Sequence, residues 1–212
     1  MEPDYNILKN MKVLEGVMAP NITTFQLAEI ASNYKREFLE LGTGSGYITI
    51  YLINKGLKGI ATEISDKAIE CSNNNFNIFN IQLKTIKSDL YSNVEGKYNL
   101  IVFNPPTGGN ESEFDRKVKN FFRTKLPFIY LLLEKPYFYL NRNKIAKFMI
   151  NLINETKDHL NPNGVLLVSI PKLDFKYLKT KIVADKFTIT NKGENEVSNI
   201  IEVKYENSIN TS

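Results

Sequence analysis

An α/β fold, with a mostly parallel sheet covered on both faces, is predicted by three features of this 212-residue chain. Short apolar runs alternate with segments of helical spacing along most of its length. One run, ending at Leu41, empties into glycines at alternate positions, Gly42, Gly44 and Gly46, with a helical pattern (Tyr47, Ile48, Ile50, Tyr51, Leu52) directly behind. A second, Val165–Ile170, is the continuous apolar run of a buried central strand.

Residues 1–35 read as a helical lead-in, in which Thr23 or Thr24 can cap a helix carrying Leu27, Ala28, Ile30 and Ala31. Glu37–Leu41 is the first core strand, and Tyr47–Lys55 a helix stopped by Gly56. Gly59–Glu63 is the second strand, followed by a helix capped by Ser65 or Asp66 with Ala68, Ile69 and Phe76 on one side. Leu83–Ile86 and Leu100–Phe103 are the third and fourth strands.

After a long connection, a helix from about Lys144 to Leu160 ends in the turn signal Asn161-Pro162-Asn163-Gly164. Beyond the central strand come a helix near Phe175–Val183, a strand Phe187–Thr190, a turn at Asn191–Asn195 and a strand Ile200–Tyr205, which together close an antiparallel hairpin. Residues 206–212 are polar and expected to fray. The length suits one well-cored domain spanning 1–212.

Composition narrows the function classes. No segment approaches the roughly 20 apolar residues that span a bilayer, and the acidic start Met1-Glu2-Pro3-Asp4 lacks the positive opening of a secretory signal. One cysteine excludes an intrachain disulfide, and with one histidine it cannot build a usual structural zinc site, so no metal is expected. A cytoplasmic protein is the plain reading. The net charge of +4 permits nucleic-acid contact without demanding it. Cys71, with no basic neighbour, reads as an inert helix residue, and His159 as a helix-end residue that suits the dipole.

The glycine loop carries the chemistry. Strand, glycine loop and helix make a nucleotide-type site, because glycine accepts positive φ and lets backbone approach a ligand. Dinucleotide sites want G-x-G-x-x-G. Here the pattern is G-x-G-x-G, with Tyr47 where the third glycine would stand. Glu40 before the loop would repel phosphate but can accept from an ammonium group. The second signal is Asn104-Pro105-Pro106 after an apolar strand. Two prolines end the ladder and fix an extended turn. Asn104 and the Pro105 carbonyl are neutral acceptors that can hold an NH2 group by its two hydrogens.

On these motifs the chain resembles the class I S-adenosylmethionine-dependent methyltransferases, within them the release-factor glutamine and small-ribosomal-RNA N-methyltransferases. The resemblance implies a Rossmann-like seven-stranded sheet over most of residues 36–205. The stretch 107–142 after the fourth strand is too long for a plain connection and points to a lid or substrate loop, the alternative being a helical insertion that packs its own small core. The resemblance also implies S-adenosylmethionine held by Glu40, Gly42, Thr43, Gly44, Gly46, Glu63, Asp89 and Asn104. Glu63, about 17 residues beyond Gly46, would take the ribose hydroxyls and Asp89 the adenine amino group. Asn104 and Pro105 become the catalytic pair, and Pro106, Thr107 and Phe114 the substrate-binding positions.

Thr107 departs from the family, which usually has Tyr or Phe there to stack on a planar target. An aromatic side chain from the insertion can supply that face, because aromatics and bases are interleaved through it. The segment Ala19–Thr24 is similar to the proline-and-threonine stretch that lies along the cofactor pocket in these enzymes, although helix capping explains its threonines equally well. The expected activity is methyl transfer to an amino or amide nitrogen of a nucleic-acid base or a protein glutamine. A small-molecule methyltransferase and a non-catalytic cofactor- or RNA-binding module remain the alternatives.

Overall fold

A computed structural model of the chain describes residues 2–105, 146–172, 175 and 187–205. Helices α1 (Tyr5–Asn10) and α2 (Ile22–Ser32) lead into β1 (Phe38–Leu41), α3 (Tyr47–Asn54) and β2 (Gly59–Glu63). Next come α4 (Asp66–Ile78), β3 (Ile86–Lys87) and β4 (Tyr98–Phe103). Helical residues 146–156 (α5) pass through a 3-10 turn, Lys157–His159, into β5 (Leu160–Pro171). β6 (Phe187–Glu194) and β7 (Ser198–Tyr205) complete the sheet.

The sheet has seven strands in the order β3-β2-β1-β4-β5-β7-β6. β7 runs antiparallel to both its neighbours, and the remaining pairs are parallel. This is an α/β Rossmann-like fold with a mostly parallel seven-stranded sheet. Strand order reverses at β1, which has β2 on one side and β4 on the other. The register sets Leu41 beside Phe103, so the segments leaving β1 and β4 emerge together. A reversal of this kind opens a crevice beyond the carboxyl ends of the strands.

Alternation along the strands feeds two cores. Phe38, Leu100, Val102, Val165, Leu167 and Ile200 point to the side of α2 and α3, joining Leu27, Ala28, Ile50 and Leu52. Leu39, Leu41, Ile101, Leu166, Val168 and Ile201 point to the other side, against Met149, Leu152 and Ile153 of α5. Coverage of both faces is why the central strands are apolar at successive positions.

The boundaries differ from the expectation in instructive places. α1 was hidden from pattern reading because Ile7 is its one buried residue, and its start is set by Asp4, which accepts from the Asn6 and Ile7 amides. The cap of α2 is Asn21 rather than a threonine, with Thr24 completing a reciprocal capping box. β3 is confined to two residues because it pairs only with Thr62 and Glu63; Leu83 packs against the core from the preceding loop.

The Asn161–Gly164 turn forms inside β5, where pairing with β4 steps from Tyr98–Leu160 to Leu100–Val165 and Asn163 takes φ 62°. The helix before it ends earlier than expected, giving way to the 3-10 turn at Lys157. β6 continues through the expected turn with a bulge between Asn191 and Gly193, and the chain reverses at Asn195, whose Oδ1 accepts from the Val197 and Ser198 amides. The insertion at 107–142, the tail at 206–212 and most of the helix near Phe175–Val183 lie outside the described residues.

Candidate active site

All three loop glycines adopt the left-handed conformation, Gly42 at φ 60°, Gly44 at 57° and Gly46 at 89°. They serve different purposes. A Cβ on Gly46 would stand 2.9 Å from the Phe76 ring and 3.4 Å from Ser72, so this glycine lets α4 pack against the start of α3. A Cβ on Gly44 would meet nothing within 4 Å. Gly44 also lines a cleft, together with Glu40, Gly42, Thr43, Ser45, Tyr47 and Asn104 from the strand ends and Met18, Ala19, Pro20 and Thr24 from the lead-in.

The loop is anchored from three directions. The Thr43 amide donates to the Thr62 carbonyl at 2.9 Å, tying it to β2. The Gly44 amide donates to Glu63 Oε2 at 3.0 Å. Fully buried Asn75 on α4 donates through Nδ2 to the Ser45 carbonyl at 2.8 Å and to the Lys12 carbonyl at 2.7 Å, while its Oδ1 accepts from the Lys12 amide at 2.7 Å. One asparagine thus clamps both the loop and the lead-in.

Glu40 is buried at the end of β1. Its Oε2 accepts from the Thr49 amide at 3.0 Å, the Thr49 hydroxyl and the Thr43 hydroxyl at 2.8 Å. Burial pushes its carboxyl up to about 7, against the hydrogen bonds from Thr49 and Thr43 that pull it down, with the nearby Glu63 adding to the rise. An acid near neutrality, held among hydroxyls on a cleft wall, is poised for a cation.

Glu63 ends β2, and its carboxylate braces the backbone around it: Oε1 accepts from the Ile64 and Ser65 amides at 2.8 and 3.0 Å, and Oε2 from Gly44. Asp89 follows β3 with its side chain exposed, in a turn where its amide donates to Ser92 Oγ at 3.1 Å. Its carboxylate is not among the cleft-lining groups.

Asn104 leaves β4 half-buried. Its Nδ2 donates to Thr24 Oγ1 at 3.1 Å, and its Oδ1 accepts from Ser169 Oγ at 2.6 Å. Pro105 behind it is buried. Pro106, Thr107 and Phe114 lie outside the described residues. The structure therefore brings Glu40, the glycine loop, the lead-in and Asn104 to one cleft, with Glu63 braced against the loop from below.

Ser169 and Asn75 are site residues that pattern reading passed over. The available signal for Ser169 was a hydroxyl set among apolar residues in the buried strand. Asn75 carried none, standing in a run of asparagines. Cys71 is buried with Sγ against the Lys12 carbonyl, whereas His159 stacks on Tyr91 at 4.4 Å, so no nucleophile pair forms between them. Among the described residues no cluster of side chains suited to a metal ion occurs, and no helix is long and apolar enough to cross a membrane.

This geometry has relatives. Residues 20–128, half of the chain, match the family model described as the methyltransferase small domain. The chain belongs to that family. The match begins at Pro20 on the cleft wall and runs through the glycine loop and Asn104.

Among curated relatives, a release factor glutamine methyltransferase of Streptococcus pneumoniae is 33% identical over 110 residues, 49% of this chain and 39% of that protein. A ribosomal RNA small subunit methyltransferase C of Buchnera aphidicola is 40% identical over 72 residues, 33% of this chain and 21% of that protein. The alignments thus span well under half the length of these curated relatives. In fold, the chain is similar to a 16S rRNA N2 methyltransferase of T. thermophilus in complex with AdoMet and guanosine. The TM-score is 0.62 at 13% identity, covering 91% of this chain and 45% of that one.

Proposed function

We propose that this methyltransferase small domain binds S-adenosylmethionine in the cleft between the glycine loop and Asn104 and transfers its methyl group to a planar NH2 nitrogen of a macromolecule. The observation that carries the reading is the meeting of Glu40, Gly44 and Asn104 on one cleft. The residues suit the cofactor's chemistry. Glu40 can accept from its ammonium, and the start of α3 can receive its carboxylate. The open left-handed Gly44 leaves room for its chain. Glu63 would take the ribose hydroxyls with the lone pairs not used by Gly44, Ile64 and Ser65, and Asp89, exposed at the end of β3, would approach the adenine amino group.

The cofactor supplies an electrophilic methyl on a sulfonium. The protein's task is then to align a nitrogen lone pair with it in a dry place. Asn104 Oδ1 and the Pro105 carbonyl accept the two N–H groups of the incoming NH2, which directs its lone pair along the cleft. With the cofactor bound, the nitrogen would gain the methyl as the C–S bond is broken, and its spare proton would leave for solvent.

The names of the relatives favour the same chemistry on two carriers, a glutamine side chain in one and ribosomal RNA in the other. A cytoplasmic setting would suit both carriers. In this reading Pro106, Thr107 and Phe114, which lie outside the described residues, would be the substrate-contacting positions.

The test is transfer of labelled methyl from S-adenosylmethionine into lysate from a strain lacking this protein, followed by separate nuclease and protease digestion. Label freed only by nuclease assigns a base, and label freed only by protease assigns glutamine. Label that passes a small-pore filter before digestion overturns the macromolecular reading, and no label above background overturns methyl transfer itself.

A further inference from the structure

Resting on the role given above to Asn104, we infer that Asn21, Thr24 and Ser169 form a relay that fixes which end of the Asn104 carboxamide meets the substrate. The oxygen and nitrogen of an amide side chain are nearly alike in shape, so only their partners decide the orientation. An inverted Asn104 would present a donor to an NH2 group and hold nothing.

The relay starts at the cap of α2. Asn21 Oδ1 receives the Thr24 hydroxyl proton at 3.3 Å, while the Asn21 amide donates back to Thr24 Oγ1 at 3.2 Å. With its proton committed, Thr24 can only accept from a third group, and that group is Asn104 Nδ2 at 3.1 Å. On the far side, buried Ser169 of β5 donates to Asn104 Oδ1 at 2.6 Å. Inverting the amide would set its oxygen against a hydroxyl oxygen with no proton to give, and would exchange the bond donated by Ser169 for one that Ser169 accepts, freeing the Ser169 proton of its partner.

The capping box therefore does more than start a helix. It polarises a hydroxyl that in turn orients an amide 80 residues away in sequence. The remaining lone pair of Oδ1 stays available, and the site selects a nitrogen that can donate over an atom that can only accept. Thr24 and Ser169 are positioning residues: each acts through Asn104, and neither needs to touch the substrate.

The experiment has two arms. In the first, protein labelled with 15N-asparagine is studied by NMR, the Asn104 side-chain signal being identified by its loss in Asn104→Ala. The Nδ2 protons should show a cross-peak to the Thr24 methyl group, and Thr24→Val should move the signal. A cross-peak to the Ser169 β-protons instead, with none to Thr24, would overturn the relay.

In the second arm, methyl transfer is measured on whichever fraction the wild type labels. Ser169→Ala and Thr24→Val should lower kcat by about tenfold or more, with S-adenosylmethionine affinity in Ser169→Ala held within about twofold, and Thr24→Ser should restore the rate. Asn21→Asp, which keeps the acceptor, should work where Asn21→Ala fails. Wild-type kcat in both Ser169→Ala and Thr24→Val would contradict the inference. If no fraction is labelled at all, the methyl-transfer reading falls, and the NMR arm alone decides the relay.

Discussion

Thr49 donates to Glu40 twice, through its amide at 3.0 Å and through its hydroxyl, so the first turn of α3 is tied to the strand that feeds the glycine loop. The bond pair holds a buried carboxyl on the cleft wall in one geometry. It only partly offsets the cost of burial, which is why the group titrates at about 7 and not in the usual carboxylate range.

Cofactor binding should therefore depend on pH through Glu40. An ammonium partner favours the carboxylate, so the bound form titrates lower than the free form. Below pH 7 binding must then expel a proton. Affinity should fall as pH is lowered through 7, by up to about tenfold per pH unit, and titration calorimetry at pH 6 in buffers of different ionisation enthalpy should register the released proton. Glu40→Gln should bind weakly at every pH and release none.

The same group predicts a slope in stability. Its folded-state value, about 7, lies above the ordinary 4.5, so the folded protein holds this proton more tightly than the unfolded chain. The contribution is complete below pH 4.5 and is lost as pH rises through 7, amounting to roughly 3 kcal/mol. Urea unfolding at pH 5 and pH 8 should show this decline in wild type, with a smaller one in Glu40→Gln.

Gly44 and Gly46 should separate cofactor space from packing. Gly46→Ala meets Phe76 at 2.9 Å in a left-handed conformation and should cost about 2–4 kcal/mol of stability. Gly44→Ala has room around it and should cost only about 1–2 kcal/mol. Gly44 lines the cleft, so the loss should appear as weakened S-adenosylmethionine binding. Denaturant unfolding and calorimetry on the two variants distinguish these outcomes.

How much of this could be read from residues alone follows from how local each feature is. The glycine loop was legible because strand, glycines and helix are contiguous, and the end of β4 at Phe103 because a proline acts on its own neighbours. The two-residue β3 was misjudged because its length depends on a partner, Thr62–Glu63, and not on its own apolarity. Asn191–Glu194 has turn composition but lies in a strand, since pairing with β7 tolerates a bulge there. The links Thr24–Asn104 and Ser169–Asn104 cross 80 and 65 residues, and no local pattern announces them. Glu63 ends β2 and Asp89 lies two residues past β3, yet Glu63 already braces Gly44, a role its spacing did not disclose.

That brace makes Glu63 doubly sensitive. Glu63→Ala removes both the acceptor proposed for ribose and the anchor of the Gly44 amide. Binding of S-adenosylmethionine should weaken by about 1.5–3 kcal/mol. Calorimetry giving wild-type affinity would remove Glu63 from the site.

Asn75→Ala should loosen the site from behind. It deletes three hydrogen bonds to the backbone of Lys12 and Ser45, all at 2.7 or 2.8 Å and made by a fully buried side chain. The expected cost is about 3 kcal/mol, with the segment before α2 becoming the first point of proteolytic cleavage. Limited proteolysis with mass analysis of the fragments checks both the magnitude and the place.

The measurement that bears most directly on methyl transfer at this cleft compares wild type and Asn104→Ala in the same preparation, by cofactor titration and by labelled-methyl incorporation. Asn104 is assigned to the substrate nitrogen, not to the folding of the glycine loop. The variant should therefore bind S-adenosylmethionine within about twofold of wild type while losing turnover by about a hundredfold or more. Full methyl transfer by Asn104→Ala would contradict the assignment.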